Sequence, residues 1–188
     1  ERWHYSHLTP TGKNIFLGWY VNPLEESLPL DADNLFGESL YAVANYGIGV
    51  NPYQAQFLNR EHDANIQDGG LLELKRLCRV EPKVDRMPLT HFLSRCHKLL
   101  KRRGYTTVVS FSDPAHGHTG GIYRASNFKH VGQSNAEMHV LDSEGVVRHR
   151  RYAFRYSRRH HITIGQARDL LNLTPVKTEP KDRWLLTL

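Results

Sequence analysis

One stretch limits the possible folds more than any other. Pro88–Arg103 (PLTHFLSRCHKLLKRR) is followed at once by Tyr105–Phe111 (YTTVVSF). In the first, Leu89, Phe92, Leu93, Cys96, Leu99 and Leu100 recur every three or four residues and form one apolar stripe. That spacing predicts an amphipathic helix. Pro88 suits its first turn, and Gly104 suits the C-cap after a basic last turn. The second is a short apolar run that reads as a buried strand. Ahead of the helix, Leu71–Val80 (LLELKRLCRV) alternates and predicts a strand with mixed faces.

The remaining elements are arranged around this strand–helix–strand unit. Lys13–Val21 and Ser39–Gly49 read as strands, with a break at Asn22–Pro23 and a loop or short helix over Leu24–Asn34. Asn51–Gly70 is polar and predicts no defined element. Gly117–Asn127 has room for a short helix. Glu137–Leu141 and Val146–Phe154 read as a hairpin turned at Asp142–Gly145. Ile164–Leu173 reads as a short helix, and Thr174–Leu188 as a polar end with a late Trp184. This order predicts one α/β domain over residues 1–188, with a mixed central sheet and flanking helices. The pattern is that of an acetyltransferase-type fold, and a short doubly wound fold is the alternative.

Composition narrows the partners. Lys and Arg number 25 against 19 Asp and Glu, a net charge of +6, which favours a polyanionic partner. The two cysteines, Cys78 and Cys96, form no CxxC pair, which argues against a zinc–thiolate site; both are expected reduced, in an intracellular protein. No apolar run is long enough to span a bilayer and no signal peptide is seen, so no membrane partner is expected.

The candidate chemistry concentrates in Ser110–Gly132 (SFSDPAHGHTGGIYRASNFKHVG), where a strand empties into Gly-rich polar sequence. Asp113, His116 and His118 can supply a two-His-one-carboxylate metal set. Alternatively Asp113 is a general base, or it caps the turn while the two imidazoles are solvated. Gly120 and Gly121 allow close backbone approach. Tyr123, Ser126 and Asn127 can hydrogen-bond a small polar substrate, and Tyr123 reads equally well as a core aromatic. Near the start, His4, Tyr5 and His7 are of metal-ligand type, or belong to the surface. The helix N-terminus at Pro88, with Lys83, Arg86, Thr90 and Arg95 near, suits phosphate. No Walker A motif, GxGxxG or acetyltransferase pyrophosphate signature accompanies it. Finally, Arg148, Arg150, Arg151, Arg155, Arg158 and Arg159 are interleaved with Tyr152, Phe154 and Tyr156. Within the basic segment 146–173 this suits a nucleic-acid surface, with arginines for phosphates and rings for unstacked bases. A strand with one apolar and one solvated face is the plainer reading.

WHYSH near the start, Gly12-Lys13, the ANYGIG and LKRLCRV strands and, most specifically, SFSDPAHGHTGGIYRASNF together resemble the Mom DNA-modification family of phages, from Trp3 to about Gly132. The resemblance implies an acetyltransferase-like (GNAT) fold. It implies an enzyme that converts the N6 amino group of adenine in phage DNA to a methylcarbamoyl (acetamido-type) adduct. That adduct would shield the DNA from restriction in the cytoplasm of the infected host. Iron and acetyl-CoA are the implied cofactors. The family's key His-Tyr pair falls on His4 and Tyr5, and its key Asp and Tyr fall on Asp113 and Tyr123. Arg76, Ser94 and Arg95 fall in the cofactor region. Iron would sit among His4, Tyr5 and one of Asp113, His116 or His118. Without metal, Asp113 is the general base and Tyr123 the general acid. The N6 amino group is poorly accessible in a duplex, so the substrate is expected to be double-stranded DNA with its adenine flipped out, and with Tyr5 or Tyr123 stacked on it. The competing reading is a GNAT-type acetyltransferase acting on a protein or small amine without DNA.

Overall fold

The computed structural model describes residues 14–21, 39–49, 51–79 and 88–188. His4, Tyr5, His7, Lys83, Arg86 and the Leu24–Asn34 stretch lie outside the described residues. The described part of the chain falls into two compact units. The first holds the residues up to Ser112, with Thr119–Gly132 and Arg183–Leu188; the second holds Asp113–His118 and Gln133–Asp182.

Along the chain the elements are β1 (Asn14–Val21), β2 (Ser39–Gly47), α1 (Gln54–His62), β3 (Leu71–Arg79), α2 (Leu89–Arg102) and β4 (Thr107–Ser112). After a 3-10 turn at Pro114–His116 come α3 (Gly121–Ala125), β5 (Lys129–Gln133), β6 (Met138–Leu141), β7 (Val147–Arg148) and α4 (Tyr152–His160). The series ends with α5 (Ile164–Leu170), β8 (Thr174–Lys177) and β9 (Asp182–Thr187). No described helix is long and apolar enough to cross a membrane.

The first unit is built on a six-stranded sheet in the order β1-β2-β3-β4-β9-β5. β1, β2 and β3 pair antiparallel, and β3 and β4 pair parallel across α2. Most of the stripe predicted for α2 is the face it buries, but Leu99 is exposed and His97 is buried in addition. Phe92, Leu93, Cys96 and Leu100 join Tyr46, Leu72, Leu74, Val108 and Trp184 in one core cluster. A second cluster gathers Leu58 of α1 with Ile66, Val109 and Leu185. Val108 and Val109 are neighbours on β4, and Trp184 and Leu185 are neighbours on β9; each pair divides between the two clusters. Successive strand residues point to opposite faces, so both faces of this sheet are covered at β4 and β9. β9, the last strand in the chain order, is inserted between β4 and β5.

The β3–β4 ladder is short. It runs from Leu71/Thr107 to Glu73/Val109, while β3 continues to Arg79 and β4 to Ser112. At the point where the ladder ends, the Ser110 hydroxyl donates to the Leu74 carbonyl at 2.9 Å.

The second unit carries a three-stranded sheet in the order β7-β6-β8, all antiparallel, with Val140, Ala153, Ala167 and Leu173 as its core. The β6–β7 turn is tied by the Asp142 carboxylate. It accepts from the Glu144 and Val146 amides at 3.0 and 2.8 Å and from Arg148 Nε at 2.7 Å. These bonds, led by the Val146 amide, hold the Asp142 carboxyl below the usual range. A capping box of Thr163 and Gln166 starts α5.

Three sequence expectations need correction. The predicted strand Val146–Phe154 is a strand only at Val147–Arg148; from Tyr152 the chain is helix α4. The rings at 152, 154 and 156 alternate like a strand, but burial falls on Ala153 and Ser157, which are four apart as on a helix. Asn51–Gly70 contains α1, a polar helix anchored by Leu58. Thr174–Leu188 contains β8 and β9. The mixed sheet with flanking helices is as expected.

Candidate functional site

In the first unit, β4, α3 and β9 assemble an aromatic and polar cluster. Trp184 is buried on β9, and its indole N–H donates to the buried Ser112 hydroxyl at 2.8 Å. Tyr123 of α3 lies beside it, with ring centroids 5.9 Å apart, and Phe128 packs edge-on at 5.5 Å. The Tyr123 hydroxyl reaches the Phe111 carbonyl at 3.5 Å. His130 meets the Trp184 ring at 5.0 Å, and the Arg124 guanidinium lies 5.8 Å from it. Gly120 caps α3 at φ +72°, and a Cβ there would run into the Trp184 indole. The close approach that Gly120 makes in the structure is to Trp184. Tyr123 is both a packed aromatic and a polar handle.

Of the cofactor candidates, Arg76 is half-buried on β3 and pairs in register with Asn45 of β2. Asn45 is buried, and neither end of its amide finds a partner among the described residues. Ser94 lines a cavity of about 540 Å³ with His97, Lys98, Lys101, Ser126 and Asn127. Arg95 is exposed on α2.

His97 is the unexpected member of that face. It is buried between the rings of Tyr46 and Phe128, at 6.2 and 5.6 Å, and its Nε2 has no partner among the described residues. Burial lowers its pKa to about 4. In the unfolded chain a histidine takes its proton near pH 6.5, so between that pH and about 4 the unfolded state binds a proton that the fold refuses. Stability should therefore fall as pH drops through this window, by up to about 1.4 kcal/mol per pH unit. Urea midpoints at pH 7 and pH 5 measure it. A His97→Leu variant is expected to lose this part of the slope, and an unchanged slope would exclude His97 as its source. The neighbouring Cys96 thiol is pushed up to about 12 by burial, so it is a packed, unreactive thiol.

In the second unit, Asp113 sits just past the end of β4, with its side chain 13% exposed. Its Oδ2 lies 3.2 Å from His116 Nδ1 and 3.6 Å from Lys181 Nζ. Its carbonyl accepts from the His116 and His118 amides, both at 3.1 Å. The His116 and His118 rings stand 6.4 Å apart, and both residues are exposed. The sequence cluster of Asp and two His is thus one compact turn, with the carboxylate already shared by an imidazole and an ammonium.

Helix α4 sorts the basic run. Arg151, Arg155, Arg158 and Arg159 follow helical spacing and are all exposed, opposite the side that buries Ala153 and Ser157. Arg150 is exposed just ahead of them. Arg148 differs, being held by Asp142 at 2.7 Å and lying 3.9 Å from Glu144.

A further cluster was missed from sequence. Among the described residues, Glu137, His139 and His149 bring one ligand atom each within 4.8 Å of one another. Glu137 and His139, two apart on an extended segment, are a readable same-side pair; His149 joins them only through the β6–β7 hairpin.

The sequence model of the Mom protein family matches residues 1–184. No curated protein matches the chain. Among solved structures, the chain is similar to the C-terminal condensation domain of Ebony in complex with beta-alanyl-dopamine, at 9% identity and a TM-score of 0.39. That likeness covers 80% of this chain and 67% of the other.

Proposed function

The chain belongs to the Mom protein family, and from that membership we propose that it is a phage DNA-modifying enzyme acting on the N6 amino group of adenine. The family match over residues 1–184 is the observation that carries this reading. The finer proposal is a methylcarbamoyl (acetamido-type) adduct that protects phage DNA from restriction in the host cytoplasm.

The scaffold proposed is GNAT-like, with acetyl-CoA as the acyl donor. Support comes from the parallel β3–β4 pair, whose ladder ends at Glu73/Val109 while both strands run on. Arg76 of β3 and Ser94 and Arg95 of α2 are assigned to the cofactor. Asp113 takes a proton from N6 as the bond from N6 to the acyl carbon forms and the acyl carbon–sulfur bond to CoA breaks, and Tyr123 donates a proton to the departing thiolate. A base inside a duplex keeps its N6 amino group against its partner, so the adenine is extruded before reaction and stacks on Tyr5 or Tyr123.

Iron belongs to the proposal through His4 and Tyr5, which lie outside the described residues, with Asp113, His116 or His118 completing the set. Imidazole, phenolate and carboxylate are a donor set suited to iron. Among the described residues, Asp113 meets His116 and Lys181 through Oδ2. Bound there, iron would supply Lewis-acid or one-electron chemistry to the reaction.

DNA would be held by the exposed arginines of α4. Each phosphate contact releases a counterion and adds about 0.9 to the slope of log affinity against log salt. The Arg155→Ala/Arg159→Ala double variant should therefore bind duplex DNA with a slope shallower by about 2. Fluorescence anisotropy across a salt series measures it, and superimposable slopes would remove α4 from the interface. The function itself is tested by mass spectrometry of nucleosides from plasmid DNA in bacteria expressing the protein. A mass-shifted deoxyadenosine is expected; unmodified DNA beside abundant folded protein would refute the proposal.

A further inference from the structure

A second group of metal-ligand type is made of residues other than those assigned above. Glu137 is pinned by its backbone. Its carbonyl accepts from the Thr178 amide at 2.9 Å and from the Thr178 hydroxyl at 3.1 Å. His139 follows on β6, paired with Val176 of β8, and its side chain is only 17% exposed. His149 comes directly after β7, at the end of the hairpin that Asp142 ties. The two imidazole rings stand 5.2 Å apart, and His139 Nε2 lies 3.8 Å from Glu137 Oε2. Three backbone-anchored donors therefore converge with ligand atoms no more than 4.8 Å apart. A tetrahedral ion bound at about 2.0–2.2 Å needs donors about 3.5 Å apart, a closure of about 1 Å that side-chain rotation supplies.

We propose that Glu137, His139 and His149 form a binding site for a divalent first-row metal ion of the zinc type. Two neutral imidazoles and one carboxylate suit such an ion, and three protein ligands leave a position for water.

The site is linked to the basic helix through one hydrogen bond. His149 Nδ1 accepts from the Arg151 amide at 3.1 Å, and Arg151 is the residue that precedes α4. When Nδ1 of a neutral imidazole accepts, Nε2 carries the proton. A metal must then either take Nδ1 itself or bind Nε2 after the proton moves to Nδ1. On both routes the Arg151 amide loses its acceptor. Occupancy of the site is thus felt at the first residue of the exposed arginine row.

The test is calorimetric titration of the full chain, freed of metal with a chelator, with zinc sulfate. Iron ligands assigned above stand in other residues, so the titration is run in a His4→Ala/Asp113→Ala background as well, where this site should persist. One zinc per chain is expected there, weakened at least about tenfold by His149→Ala and by Glu137→Gln. His149 is exposed, so its loss leaves the unit folded, as circular dichroism checks. The second readout is the Arg151 amide in a ¹H–¹⁵N spectrum, which should shift on zinc addition in the parent and stay still in His149→Ala. Absence of zinc uptake in that background, or uptake insensitive to His149→Ala, overturns the proposal.

Discussion

Replacing Asp113 by Asn is expected to cut the yield of modified deoxyadenosine by about 10²–10⁴, the loss typical of removing a general base. Asn keeps the size and loses the negative charge. The fold should tolerate the change, because Asn keeps the size of the side chain and the partners of Asp113, His116 and Lys181, are themselves half-exposed. The turn itself is held by the Asp113 carbonyl, which accepts from two amides and is untouched by the substitution. Nucleoside mass spectrometry gives the yield, and thermal melting of the same preparation separates lost chemistry from lost protein. A variant that melts like the parent and modifies DNA at the parent rate would take Asp113 out of the mechanism.

The largest stability effect should come from Gly120→Ala. The position lies at φ +72°, where an L side chain is strained, and the added Cβ meets the Trp184 indole. Strain of about 1–2 kcal/mol and overpacking of about 1–3 kcal/mol combine to about 2–5 kcal/mol. Trp184 has little room to yield, since its N–H is held by Ser112 and its ring by Tyr123 and His130. Gly121→Ala is the control one residue on. There the new Cβ meets only Thr119 Oγ1 at 3.8 Å and φ is not positive, so the change should be neutral or slightly stabilising. Urea denaturation followed by Trp fluorescence compares the two, and equal midpoints would mean that the Trp184 contact is soft.

How legible these features were in the sequence depended on whether burial followed a regular period. α2 could be read because its apolar residues repeat every three to four positions, β2 and β3 because theirs alternate, and β1 and β4 because they are short apolar runs. α1 has Leu58 as its single fully buried apolar anchor, which no period reveals. α4 was misread because its aromatic residues are not the ones it buries. β9 escaped because its apolar run, Trp184–Leu186, is only three residues long. Of the candidate site, the Asp113–His118 turn was legible because its members are local in sequence. The Trp184–Ser112 hydrogen bond, spanning 72 residues, and the Glu137–His139–His149 group depend on tertiary pairing that local spacing does not encode.

The insertion of β9 between β4 and β5 governs when this protein can fold as it is made. Until residues 182–187 leave the ribosome, β4 and β5 each present an open edge, and Trp184 is missing from the core cluster that α2 covers. Open strand edges invite pairing with other chains. A nascent chain stalled before Asp182 therefore keeps both of these edges unpaired, and the six-stranded sheet closes only once β9 has been made.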